Sequence, residues 1–87
     1  MTKYYLKIKS IPTEDNHIKT ERIEYWGKRE TYLSSLTTPS IAQLILFGFG
    51  SMEAAKRAKE QKEEIYNREF AKFHSYYHEI EIMSEDI

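Results

Sequence analysis

The chain has 87 residues, of which 40% are hydrophobic and 31% charged, with a net charge of −1 and no cysteine. This length supports one domain with a modest hydrophobic core, and the composition is typical of a folded globular protein rather than a disordered one. The absence of cysteine excludes disulfide bonds, thiolate chemistry and cysteine-based zinc sites. We therefore expect a single domain over residues 1–87.

The sequence shows no signal peptide and no membrane segment. Residues 1–7 lack the apolar run of a signal peptide. The longest apolar run, residues 44–47, is far shorter than the ~20 residues of a membrane-spanning helix. The sequence therefore predicts a cytoplasmic protein that does not enter the membrane.

Charge is divided unevenly along the chain. Residues 1–37 contain seven basic and five acidic side chains, whereas residues 38–87 contain six basic and nine acidic ones. Proteins that bind nucleic acid neutralise phosphate groups with basic side chains. The acidic C-terminal half therefore argues against nucleic acid as the partner.

The first half of the chain is predicted to form strands. Residues 3–11 alternate between the two faces of a half-buried strand. Residues 12–16 have the proline, aspartate and asparagine of a turn, and residues 17–26 predict a second strand, so a hairpin is the natural pairing. Residues 31–33 predict either a short third strand or an extended loop.

The second half predicts two helices and a final strand. Residues 41–47 favour a short helix, with a strand as the alternative because short apolar runs fit both. A longer helix begins after Ser51, a favourable N-cap, and ends at Asn67 or continues to Lys72. Residues 76–83 alternate as a strand. The order β-β-(β)-α-α-β predicts an α+β fold, an antiparallel sheet of three to four strands with one long and one short helix on one face.

Aromatic residues make up 14% of the chain and include three adjacent pairs. Neighbours on a strand point to opposite faces, so one member of each pair is expected to face away from the helices. Tyr5, Trp26 and Tyr77 are the candidates for an aromatic patch on that open face, with Glu79 and Glu81 on or beside it. Aromatic side chains are enriched at protein interfaces, which predicts a partner-binding surface. The alternative is cross-strand packing that stabilises the sheet.

Residues 44–49 form a second candidate interface. This segment is apolar almost all round, more than one helix face buries in a small domain. A homodimer that shares the segment would bury both sides, and full burial within one copy is the competing interpretation. The candidate oligomer-interface residues are Leu44, Leu46, Phe47 and Phe49.

Signals for catalysis or metal binding are weak. His74 and His78 are four residues apart, but on a strand they would lie ~13 Å from each other, too far for one ion. The chain has no nucleophile elbow and no glycine-rich oxyanion turn. We therefore expect no catalytic residues, cofactor or metal, and hold a small enzyme or metal-binding protein that uses these two histidines as an alternative.

Three segments carry a resemblance to known proteins: residues 3–9, 49–56 and 78–82. Together they resemble small accessory proteins of phages and other mobile elements in Gram-positive bacteria, which include anti-CRISPR inhibitors of host defence. The resemblance implies a non-enzymatic protein-binding module that inhibits a host defence protein by surface occlusion or charge mimicry. Its alternative is a structural homodimeric accessory protein.

Overall fold

The computed structural model describes residues 1–13, 20–66 and 76–87. In chain order its elements are strands β1 (Thr2–Pro12), β2 (Arg22–Trp26) and β3 (Tyr32–Ser35), helices α1 (Ile41–Phe47) and α2 (Met52–Ile65), and strand β4 (Tyr76–Asp86). The predicted α+β class and the order of elements are confirmed, and residues 41–47 are a helix. The third strand is present, and the last strand extends three residues beyond its predicted end.

The four strands form one antiparallel sheet in the order β3-β2-β1-β4. The pairing places Leu6 between Trp26 on β2 and Ile82 on β4, and it places Tyr5 beside Met83 on β4. Residues paired in this way share a face, and consecutive residues point to opposite faces. One face therefore carries Leu6, Trp26 and Ile82, and the other carries Tyr5 and Met83.

Two hydrophobic clusters lie on these two faces. One consists of Tyr5, Tyr25 and Leu33 packed with Leu44 of α1, and the other consists of Leu6 and Phe49 packed with Ala55 of α2. Because Tyr5 and Leu6 point to opposite faces, α1 and α2 lie on opposite faces of the sheet. The expectation that both helices cover one face is therefore wrong.

The link between the helices explains this arrangement. Phe49 forms an antiparallel bridge with Tyr4, in which the Phe49 N–H donates to the Tyr4 carbonyl at 2.7 Å and the Tyr4 N–H donates to the Phe49 carbonyl at 3.0 Å. The chain thus passes through the plane of the sheet between α1 and α2. The glycines of residues 48–50 predict a flexible break between the helices. In the structure Phe49 is instead paired as in a strand where this segment crosses the sheet.

Helix α2 begins as predicted and packs through small residues. Ser51 accepts a hydrogen bond from the Ala54 N–H at 3.2 Å, and Ala55 is fully buried. Alanine lets the helix axis approach the sheet closely, because no long side chain separates them. The helical spacing also predicts Met52 and Ile65 on the buried side with Ala55, but both side chains are exposed.

Some sequence predictions fall outside the described residues. They include most of the turn at residues 12–16, the start of the strand predicted at residues 17–26, and the end of α2 beyond Tyr66. His74 also lies outside. Within the described part of the chain, neither helix is long and apolar enough to cross a membrane.

Candidate functional site

Local contacts fix the start of helix α1. The Ser40 hydroxyl accepts from the Gln43 N–H at 3.2 Å, and the Gln43 side-chain oxygen accepts from the Ser40 N–H at 2.9 Å, a reciprocal capping box. The Gln43 amide also donates to the Leu33 carbonyl of β3 at 2.7 Å. These three bonds hold a seven-residue helix, too short to be stable alone, against the edge of the sheet.

Only one residue of α1 is buried. Leu44 is 1% exposed and packs on Tyr5 and Tyr25, whereas the other large side chains of the helix face solvent. The exposed fractions are 59% for Ile41, 52% for Ile45, 62% for Leu46 and 38% for Phe47. We call these four residues the α1 surface. Large exposed apolar side chains gathered on one short helix are typical of a site that contacts another molecule.

The α1 surface lies in a segment without charge. Residues 31–52 contain no aspartate, glutamate, lysine, arginine or histidine, although 31% of the chain is charged. Leu36, which precedes the helix, is 74% exposed. This absence of charged residues is a sequence signal that could have identified Ile41 and Ile45 as candidates for an exposed apolar surface. It indicates that contact at this surface would be apolar rather than ionic.

The candidate oligomer-interface residues divide into two pairs. Leu46 and Phe47 are exposed on α1, but Leu44 and Phe49 are buried in the core. Leu44 faces the sheet because its helix packs there, and Phe49 follows Tyr4 onto the face that carries Leu6. Leu44 and Phe49 are therefore not available to a partner while the core is intact.

The predicted aromatic patch is not formed. Tyr5 and Tyr77 share a face, but Trp26 is paired with Leu6 and points to the opposite face. Tyr5 is also buried, with its ring centroid 5.8 Å from that of Tyr25. Of the three residues, Tyr77 alone is exposed on the face where the patch was expected. The alternation predicted for residues 3–11 and 76–83 agrees with the pairing of β1 and β4. The patch fails because the register of β2 against β1 places Trp26 beside Leu6.

Trp26 belongs to a packed network instead. The Lys62 ammonium lies 3.9 Å from the ring centroid of Trp26, and the rings of Trp26 and Tyr32 form a T-shaped pair with centroids 5.4 Å apart. The indole N–H donates to Glu24 at 3.2 Å. The cation–π contact and the aromatic pair hold α2 and β3 against β2. Removing Trp26 would disturb this packing, so it is not a clean probe of partner binding.

The acidic residues of β4 lie opposite lysines of β1. The three pairs are Glu79 with Lys9, Glu81 with Lys7 and Glu85 with Lys3. Directly opposed residues of unlike charge attract each other across a sheet. Glu79 and Glu81 therefore match a basic neighbouring strand, which weakens the idea that they present an isolated acidic surface.

His78 contacts the end of α2. Its Nδ1 lies 2.8 Å from the hydroxyl of Ser10, and its ring stacks on Tyr66 with centroids 4.3 Å apart. Burial lowers the pKa of His78, and the negative charge of Glu24 partly opposes that shift. Burial, followed by Glu24, also raises the pKa of Tyr66. No group of three or more potential metal ligands occurs among residues 1–13, 20–66 and 76–87.

Comparisons with known proteins reveal no relative. No model of a known protein family matches the chain, and neither curated proteins nor solved structures give a significant match. Function is therefore inferred from the surface of the molecule.

Proposed function

We propose that the protein is a non-enzymatic binding module that docks onto another protein through the α1 surface. The supporting observation is the exposure of Ile41, Ile45 and Leu46 on a helix whose buried side consists of Leu44 alone. Amphipathic helices commonly bind by placing side chains three or four residues apart into an apolar groove, and Ile41 and Ile45 have that spacing. Leu46 extends the exposed apolar surface beside them. The partner surface should therefore be apolar and largely uncharged.

The mode of action that we propose is occlusion of the partner's surface. Inhibition of a host defence protein, which the sequence resemblance implies, would follow if that surface is the partner's working site. Charge mimicry has less support, because Glu79 and Glu81 lie opposite Lys9 and Lys7. The helix is also pinned at its start by the Ser40 capping box, so little ordering of α1 is required on binding.

A homodimer is the second candidate, and one observation favours it. Because residues 31–52 carry no charge, two copies of the α1 surface could meet without electrostatic repulsion. A symmetric dimer would pair the helix with its own copy. The experiment described next distinguishes this arrangement from binding of a different protein.

The test compares the wild type with two matched double variants. Ile45→Ser with Leu46→Ser removes exposed apolar groups from α1, and Met52→Ser with Ile65→Ser removes exposed apolar groups from α2. Truncation of a residue that dominates an interface costs about 2 kcal/mol or more, so the α1 variant should lose its partner while the α2 variant retains it. Circular dichroism should show all three proteins folded, since none of the four residues is buried.

The readouts are affinity capture from bacterial lysate and sedimentation velocity over a wide range of protein concentration. A stoichiometric foreign protein lost only with the α1 variant supports the binding module. A dimer in the wild type that the α1 variant abolishes supports the homodimer. Identical capture and identical sedimentation of all three proteins would contradict both.

A further inference from the structure

A second feature lies on the opposite face of the sheet, away from the α1 surface. A cleft of about 310 Å³ opens between α2 and the turn that follows β2. Its floor is apolar, formed by the buried side chains of Leu6 and Phe49 and by Ala54 and Ala58 of α2. This volume is at the lower end of the roughly 300–1,000 Å³ found for small-molecule sites, and apolar walls are their usual lining.

Basic side chains surround the mouth of this cleft. Arg29, Arg57 and Lys62 line it together with a single carboxylate, that of Glu30. Within the described part of the chain, neither Arg29 nor Arg57 has a carboxylate within 4.0 Å. Lys62 is held in place by its contact with Trp26. The rim therefore offers two unpaired guanidinium groups and one oriented ammonium group above an apolar floor.

The turn that supplies Arg29 has unusual backbone geometry. Arg29 and Glu30 have φ angles of 56° and 55°, in the left-handed region that residues other than glycine seldom adopt. The turn is closed by the Gly27 N–H, which donates to the Thr31 carbonyl at 2.8 Å. Strained backbone of this kind is frequent at ligand clamps. In this protein the strained turn places Arg29 at the edge of the cleft.

We propose that this cleft binds a small organic anion with a compact apolar body, such as a single aromatic ring, and one carboxylate or phosphate group. The ring would lie on Phe49 and Ala58, and the anionic group would bind Arg57 and Lys62, because guanidinium groups donate paired hydrogen bonds to planar or tetrahedral oxyanions. The site is independent of the α1 surface.

The experiment uses the full chain and phenyl phosphate as the probe. Titration followed by amide chemical shifts should show saturable changes at Phe49, Ala54 and Ala58. Phenol should bind at least about tenfold more weakly because it lacks the charge and loses a charge-assisted hydrogen bond. Inorganic phosphate should also bind at least about tenfold more weakly, because it keeps the charge but loses the burial of the ring on the apolar floor.

Two double variants separate a specific site from general attraction of anions. Arg57→Gln with Lys62→Gln should weaken phenyl phosphate at least about tenfold. Lys7→Gln with Lys9→Gln removes the same charge from the opposite face of the sheet, where these lysines pair with Tyr25 and Ile23 of β2. This control should leave binding within about twofold, because screening limits distant charges. Equal weakening in the two variants, equal binding of inorganic phosphate, or the absence of saturable shifts at the cleft would overturn the proposal. Retention of binding by the Ile45→Ser, Leu46→Ser variant would show that the cleft is independent of α1.

Discussion

At the scale of single residues, His78 shows how packing changes the chemistry of a side chain that the sequence could not place. Its spacing of four residues from His74 gave a metal-binding pair as one alternative and a structural or exposed histidine as the other. The structure instead puts its ring on Tyr66 and its Nδ1 beside the hydroxyl of Ser10, a residue that is only 7% exposed. These contacts lie between residues distant in sequence, so no spacing rule could have indicated them.

The lowered pKa of His78 predicts a dependence of stability on pH. An unfolded histidine has a pKa of about 6.5, and burial holds the pKa in the folded protein below that value. As the pH falls, the unfolded chain therefore takes up the proton before the folded protein does. The stability contributed by neutral His78 is complete above about pH 6.5, and it is lost as the pH falls through the pKa of His78 in the folded protein. Urea unfolding of the wild type should show this decline, and His78→Gln should show a smaller one.

The pKa of His78 in the folded protein can be measured directly by NMR titration of its ring protons. A midpoint below about 6.5 is expected. A midpoint at or above that value would show that the attraction of Glu24 exceeds the cost of burial, and would contradict the proposed order of the two effects. Tyr66 provides a separate check, because its raised pKa should delay ionisation of the tyrosine at alkaline pH.

At the scale of elements, local sequence determined whether a segment forms a helix or a strand, but not the face of the sheet on which it packs. Alternation identified β1 and β4, and a serine N-cap identified the start of α2, because these signals depend on neighbours in the chain. The face on which each helix packs depends on the bridge between Phe49 and Tyr4, a long-range backbone pairing. The same limit explains Trp26, whose face depends on its pairing with Leu6.

The close approach of α1 to the sheet gives a prediction for Gly27. A β-carbon at Gly27 would overlap the carbonyl oxygen of Phe47, which is backbone and cannot move aside cheaply. Gly27→Ala should therefore destabilise the fold by about 1–3 kcal/mol. Gly50→Ala is the matched control, since nothing lies within 4 Å of a β-carbon there and its φ is not positive.

Urea unfolding of both variants measures this difference. The control should stay within about 1 kcal/mol of the wild type, with a small gain expected because alanine restricts the unfolded chain. Equal stability of Gly27→Ala and Gly50→Ala would show that α1 does not press on the end of β2. Amide chemical shifts of residues 41–47 would show whether any loss of stability in Gly27→Ala comes with displacement of the helix.

At the scale of the whole molecule, the uneven charge along the chain acquires a structural meaning. The basic residues near the N-terminus and the acidic residues near the C-terminus meet because β1 and β4 pair along their whole length. The three opposed pairs are Lys3 with Glu85, Lys7 with Glu81, and Lys9 with Glu79. Lys9 also forms an ion pair with Glu21 at 3.4 Å. The uneven division of charge, which argued against nucleic acid as the partner, thus favours the correct register of the longest strand pair.

This interpretation predicts coupling between Lys7 and Glu81. Lys7→Glu places two carboxylates opposite each other, and Glu81→Lys places two ammonium groups there, so each single variant should be destabilised by about 0.5–1 kcal/mol. The double variant restores opposite charges with their positions exchanged and should recover most of the loss. Urea unfolding of all four proteins gives the coupling energy without the separate effects of each substitution. The coupling should shrink at about 1 M salt, where the screening length is ~3 Å. If the losses of stability in the double variant are additive and unchanged by salt, the opposed charges do not contribute to the pairing of β1 and β4. The acidic side chains of β4 would then again be available to a basic partner.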